Sequence, residues 1–146
     1  MSSARHGKKA AVLKKLLRPY TLSANEGWHC DFGVDFVIKA SELREGSGAA
    51  VLVYETRAGE EPEAHAHPTE DEMFYVLEGA ITFFCGGERF DLQKDGFIYL
   101  PHGMQHSYLI PNEDPVRLLV VTAPVRDGAS GGWGGFVGEM ENAETD

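Results

Sequence analysis

Read for its alternation of hydrophobic and polar positions, the chain changes character near residue 34. From there, apolar residues recur at every second position in short runs: VDFVIKA at 34–40, AAVLVYET at 49–56, MFYVLEG at 73–79, AITFFC at 80–85, FIYLP at 97–101, HSYLI at 106–110 and VRLLVVTA at 116–123. A period of two marks strands with one face buried, whereas a helix would repeat near 3.6. Turn chemistry separates the runs: REGSG at 44–48, RAGEEPE at 57–63, CGGE at 85–88, QKDG at 93–96, PHG at 101–103 and PNEDP at 111–115. Seven or more short strands with almost no helical pattern between them predict an all-β fold of antiparallel sheets, a sandwich or a barrel.

The two ends follow other rules. Val12, Leu13, Leu16 and Leu17 fall at i, i+1, i+4 and i+5, the stripe of a short amphipathic helix; a solvated tail is the alternative. Beyond residue 125 the sequence opens Gly-rich and closes acidic. There Trp133, Phe136 and Met140 have the spacing of a short helix that would lay an apolar face on the strands, and disorder is the competing expectation. The chain thus divides into a basic arm and lead-in (1–33), a β-barrel (34–125) and a tail (126–146).

Charge sharpens this division. Residues 1–18 hold six of the 13 basic residues, Arg5, Lys8, Lys9, Lys14, Lys15 and Arg18, and no acid; the remaining 7 bases face all 23 acids, a body at −16 within a chain of net −10. Such a body repels phosphate backbones, so nucleic acid is not the expected partner. At 146 residues the length suits one domain. No apolar run approaches the ~20 residues of a membrane span, and the first residues lack the apolar core of a secretory signal. A cytoplasmic chain is expected. Cys30 and Cys85 are too few for a disulfide framework and are read as buried thiols.

Candidate chemistry starts with His65-Ala66-His67. In an extended strand, residues i and i+2 project to one face and aim two imidazoles at one point, and Pro68 then ends the strand. Glu72 opens the next run, where it shares a face with Phe74 and Val76, so a carboxylate would point inward among buried residues and need a cation. His106 follows the PHG turn far along the chain. Each part has an ordinary alternative: a surface HxH pair, a solvated acidic turn at 70–72, a hydrogen-bonded histidine. Together they are four preferred ligand types set by strand parity and a Pro-Gly turn.

The segment from Gly59 through His65, His67 and Glu72 to Gly79 resembles the first motif of the cupin superfamily in every spacing, and Pro101-His-Gly103-Met-Gln-His106 resembles the core of the second. Two departures stand out: Asp95-Gly96 replaces the usual Gly-Asp, and Ile110 replaces the closing asparagine. The resemblance implies a double-stranded β-helix, a small jelly roll, with His65, His67, Glu72 and His106 as ligands of one divalent transition metal. Iron, manganese, nickel, cobalt, copper and zinc all suit such a donor set. The expected pocket is apolar and aromatic, from Phe74, Ile81, Phe83, Tyr108 and Ile110, with few lysines or arginines near it. That favours a flat, neutral or enolic small molecule over a sugar phosphate. The activity the resemblance implies is that of small quercetinase-like single-domain cupins, a dioxygenase with Glu72 also serving as base. A polyketide cyclase or isomerase that uses no oxygen and a non-catalytic binding cupin are the alternatives. Outward-facing Tyr75 and Leu77 suggest a homodimer.

Overall fold

A computed structural model describes residues 18–41 and 48–125. The basic arm, its proposed helix and the C-terminal segment from 126 lie outside these residues. Among the described residues the secondary structure is all β: β1 (Trp28–Asp31), β2 (Asp35–Ala40), β3 (Ala50–Thr56), β4 (Glu70–Glu78), β5 (Ile81–Cys85), β6 (Glu88–Leu92), β7 (Phe97–Leu100), β8 (His106–Leu109) and β9 (Val116–Pro124). No helix there is long and apolar enough to cross a membrane.

The strands form two antiparallel sheets, one of six in the order β1-β2-β3-β9-β4-β7 and one of three in the order β6-β5-β8. Alternation along each strand builds the core between them. Leu52 and Tyr54 of β3, Phe74 and Val76 of β4, and Leu118 and Val120 of β9 turn inward and meet Ile81 and Phe83 of β5. Phe83 stacks at a ring-centroid distance of 5.0 Å from Phe74 and 5.6 Å from Tyr108. Each large side chain buried this way contributes roughly 1.5–3 kcal/mol relative to exposure. Cys30 and Cys85 are buried and form no disulfide with each other, in line with the sequence reading.

Two strands escaped the periodicity. β6 is an edge strand whose residues Glu88 to Asp91 are all exposed, so no buried face marks it. It exists because Gly86 and Gly87, at φ 60° and 81°, close a two-residue hairpin that pairs Cys85 with Glu88; such a turn needs positive φ at both positions. β1 has a single buried residue, Cys30, and is held by its ladder to β2.

The unusual Asp95-Gly96 also has a physical reading. Asp95 takes φ 68°, the only non-glycine residue with positive φ among those described, and aspartate is among the residues that tolerate this region. Its N–H donates to Val76 O at 2.8 Å and its carboxylate accepts from Tyr75 Oη at 3.2 Å. Gly96 has no room for a side chain, since a Cβ would lie 2.9 Å from Gln93 O.

Candidate functional site

Glu72 lies on β4 inside the six-stranded sheet, paired with Leu100 on one side and Thr122 on the other. Parity therefore fixes where it points, and only 4% of it is exposed. His106 opens β8 opposite Cys85 of β5, in the other sheet. His65 bridges the two: its N–H donates to His106 O at 3.0 Å and the His106 N–H returns a bond to His65 O at 2.8 Å. The HxH segment is thus not the regular strand expected from its pattern. It is an extended segment pinned at that bridge and again where Gly103 N–H donates to His67 O at 2.9 Å. The two imidazoles still approach one another, with ring centroids 4.9 Å apart.

The result is convergence of His65, His67, Glu72 and His106, each offering one donor atom within 4.8 Å of the others. The imidazole rings stand 4.6–5.6 Å apart between centroids. The backbone sets the rings: His65 Nδ1–H donates to Glu63 O at 2.7 Å and His106 Nδ1–H to Met104 O at 3.3 Å, so each ring turns Nε2 to the interior, as the outer partners of metal-bound histidines do. His106 Nε2 is buried without a hydrogen bond, yet lies 3.2 Å from Glu72 Oε1, and His67 Nε2 lies 3.7 Å from Oε2. An imidazole nitrogen and a carboxylate oxygen this close in a buried site need positive charge between them, a proton on Nε2 or a metal ion, and the convergence of two further imidazoles on the same point suits the metal. This donor set can hold a divalent metal.

A cavity of about 50 Å³ opens beside the cluster. Glu72, His65 and His106 form its polar wall; Phe36, Tyr54, Phe74 and Tyr108 form the rest. Of the five pocket residues expected from sequence, Phe74 and Tyr108 line this cavity. Ile81, Phe83 and Ile110 are inward as parity required but belong to the core; parity gives the face of a strand and not the depth along it, and Phe83 sits packed between Phe74 and Tyr108. Phe36 and Tyr54 were missed. The signal for Tyr54 was present, since a residue with a polar tip shares the inward face of β3 with Ala50 and Leu52. No lysine or arginine lines the cavity among the described residues. Its volume lies far below the ~300–1,000 Å³ of pockets that bury a drug-sized ligand, so only the end of such a molecule fits inside.

The tyrosines are electrically neutral parts of this wall. Their hydroxyls are 3.0 Å apart. Burial pushes Tyr108 up to about 12, helped by the nearby Glu72 charge, and burial together with Tyr108 and Glu72 pushes Tyr54 well above the ordinary phenol range.

Neighbouring charged groups divide between inside and outside. Glu70 also turns inward, at 2% exposure. Asp71 faces out and accepts from His102 N–H at 2.9 Å and His102 Nδ1 at 3.0 Å. Burial would raise the Asp71 carboxyl, but these bonds outweigh it and hold it below the usual range. His102 and His29 stand away from the cluster, the latter on Asp35. Glu61 is the positioning residue that sequence reading overlooked: it accepts from Gly59 N–H at 2.6 Å and from Ile110 N–H at 3.1 Å, tying the connection that carries the histidines to the end of β8. The Ile110 N–H in particular holds the Glu61 carboxyl below its ordinary range, against the effect of burial.

Comparison with known proteins bears on the fold that holds this site. The cupin domain family matches residues 52–122. The chain is 26% identical over 118 residues to a Streptomyces cyaneus protein named polyketide synthase CurC, covering 81% of this chain and 62% of that protein. It is 29% identical over 92 residues to quercetin 2,3-dioxygenase of Bacillus subtilis, covering 62% of this chain and 27% of that enzyme; in both cases it spans less than two thirds of the relative's length. Among solved structures, the cupin domain of Schizosaccharomyces pombe Cnp3 superposes with a TM-score of 0.60 at 25% identity, covering 73% of this chain and 74% of that one. Through its jelly-roll strands, its two motifs and the match over residues 52–122, this chain belongs to the cupin superfamily.

Proposed function

We propose that the protein is a metal-dependent dioxygenase acting on a small enolic or aromatic molecule, with His65, His67, Glu72 and His106 as the ligands of one divalent transition metal. The observation that carries the reading is the convergence of four donor atoms within 4.8 Å of one another, with the buried His106 Nε2 3.2 Å from Glu72 Oε1, beside an otherwise apolar, aromatic cavity. A metal held there supplies a Lewis acid for a substrate oxygen and, if redox-active, a path for electrons to dioxygen. The protein's own part is positional. Backbone carbonyls at Glu63 and Met104 set two of the imidazoles, Phe36 and Phe74 exclude water and contact a flat ligand, and Glu72 takes the enol proton on a carboxylate oxygen. With about 50 Å³ available, the oxygen-bearing end of the substrate enters while its ring system lies at the mouth. The lack of lysine and arginine among the described residues of the wall disfavours phosphorylated sugars.

Oxygen-electrode screening of protein loaded in turn with iron, manganese, nickel, cobalt or copper, against flavonols and enolic diketones, tests the activity. Metal-dependent oxygen uptake with at least one substrate is expected; substrate conversion without oxygen uptake would replace the reading. That second outcome corresponds to a cyclase or isomerase, which the similarity to the polyketide synthase CurC favours. Glu72→Gln tests the base role: at equal metal occupancy, turnover should fall while substrate still binds, and an unchanged rate would leave Glu72 a ligand alone. We also infer a homodimer formed through the outer face of β4 and β7, where Tyr75, Phe97 and Tyr99 are exposed; a monomer by sedimentation at micromolar concentration would refute it.

A further inference from the structure

We propose that Tyr54 and Tyr108 act as the polar selector of the cavity, giving a hydrogen bond to a second oxygen of a ligand whose first oxygen is held at the four-residue cluster. The proposal deepens the metal-site reading and rests on it. Both tyrosines line the same small cavity as Glu72, His65 and His106, and they reach it from opposite sheets, Tyr54 from β3 and Tyr108 from β8. Each ring is fixed by aromatic neighbours: Tyr54 by Phe36 at 4.6 Å, Tyr108 by Phe83 at 5.6 Å and Phe74 at 6.3 Å. The hydroxyls are fixed by each other at 3.0 Å, and Tyr108 also meets the buried Thr56 hydroxyl.

A purely packing role would be served by phenylalanine, as it is at Phe36 and Phe74 on the same wall. A phenol has one donor and two acceptor positions. The mutual bond uses one of the pair's two donors and one of its four acceptor positions; with Thr56 donating to Tyr108, the second phenol proton remains for a cavity that otherwise offers imidazole, carboxylate and apolar surface. With no lysine or arginine among the described residues at the tyrosine end of the wall, an uncharged donor in a fixed place suits a ketone, enol or hydroxamate oxygen as the second oxygen better than a phosphate or a second carboxylate, whose charge the phenols cannot offset. The ligand class this selects is a neutral or enolised molecule with two oxygens on adjacent carbons or an equivalent pair, such as a hydroxyketone.

The test uses the Co(II)-loaded full chain and its visible absorption, titrated with acetohydroxamate, which carries two neighbouring oxygens, and with azide, which carries none. Tyr108→Phe and Tyr54→Phe should each retain one Co(II) per chain and a folded circular dichroism spectrum. Acetohydroxamate affinity should fall by about 5- to 30-fold in at least one of them, while azide affinity changes by less than about threefold. Equal affinities in parent and variants, or equal weakening of both probes, would overturn the selector role. So would loss of Co(II) from both tyrosine variants alone, which would make the pair structural. Failure of the parent chain to take up Co(II) would instead overturn the metal reading, and the selector with it.

Discussion

His29 shows how much a single side chain can do outside the site. Its Nδ1 faces Asp35 Oδ2 at 2.9 Å and its Nε2 faces the Asn25 carbonyl at 3.0 Å; both partners are acceptors, so only the imidazolium satisfies both. The Asp35 hydrogen bond first, then the Asn25 carbonyl and the Asp35 charge raise its pKa above the ordinary value, against exposure changes and Lys39. A histidine with a raised folded pKa contributes stability that is fully present below its unfolded value of ~6.5 and lost as pH rises through the folded one. The melting temperature of His29→Asn should therefore lie below that of the parent at about pH 6, with the gap closing toward about pH 9. A gap independent of pH would show that the ring acts through packing alone. At the same scale, the residues that converge were legible because the HxH spacing and the position of Glu72 at the head of a strand are local facts. Tyr54 and Phe36 were not, because nothing local tells which inward aromatic of a distant strand ends up beside them.

Among the elements, the 57–69 connection between β3 and β4 carries two of the four clustered residues with no ladder of its own beyond the His65 bridge. Glu61 is its tether to β8 through Ile110. Glu61→Ala should leave the fold intact and weaken metal affinity about 10-fold or more, the scale of losing an outer partner of a metal site, as read by competition with a chelator; unchanged affinity would mean that the backbone pins at His65 and His67 suffice. Gly79 ends β4 at φ 89°, and a Cβ there would lie 2.7 Å from Pro115 O. Gly79→Ala is thus expected to destabilise by more than ~1 kcal/mol in urea unfolding; a smaller effect would show that the 111–115 turn can yield. Strand recognition from sequence worked where one face is buried, as in β3, β4 and β9. It failed for β6, which is specified by its Gly-Gly hairpin and by pairing with β5 rather than by any hydrophobic pattern.

Across the whole molecule, the six-stranded sheet supplies the carboxylate and the three-stranded sheet one imidazole, so the cluster ties the two layers together. Binding to the native state alone stabilises by mass action, about 2.7 kcal/mol at a ligand concentration 100 times Kd, and the melting temperature should rise with added metal in the parent but not in His106→Ala. Leu118→Ala, in the centre of the core at 0% exposure, should cost about 2–5 kcal/mol and leave the metal stoichiometry unchanged. The two-layer architecture could be read from alternation and turns. Sheet order could not, since β9 inserts between β3 and β4, a long-range pairing that no local pattern encodes. The central claim is most directly tested by metal analysis of the purified full chain together with His67→Ala and His106→Ala, after dialysis against a weak chelator. One equivalent of a divalent transition metal per parent chain, with near-complete loss in both folded variants, is the predicted result; a metal-free parent that takes up none on reconstitution, or variants that keep a full equivalent, would contradict it.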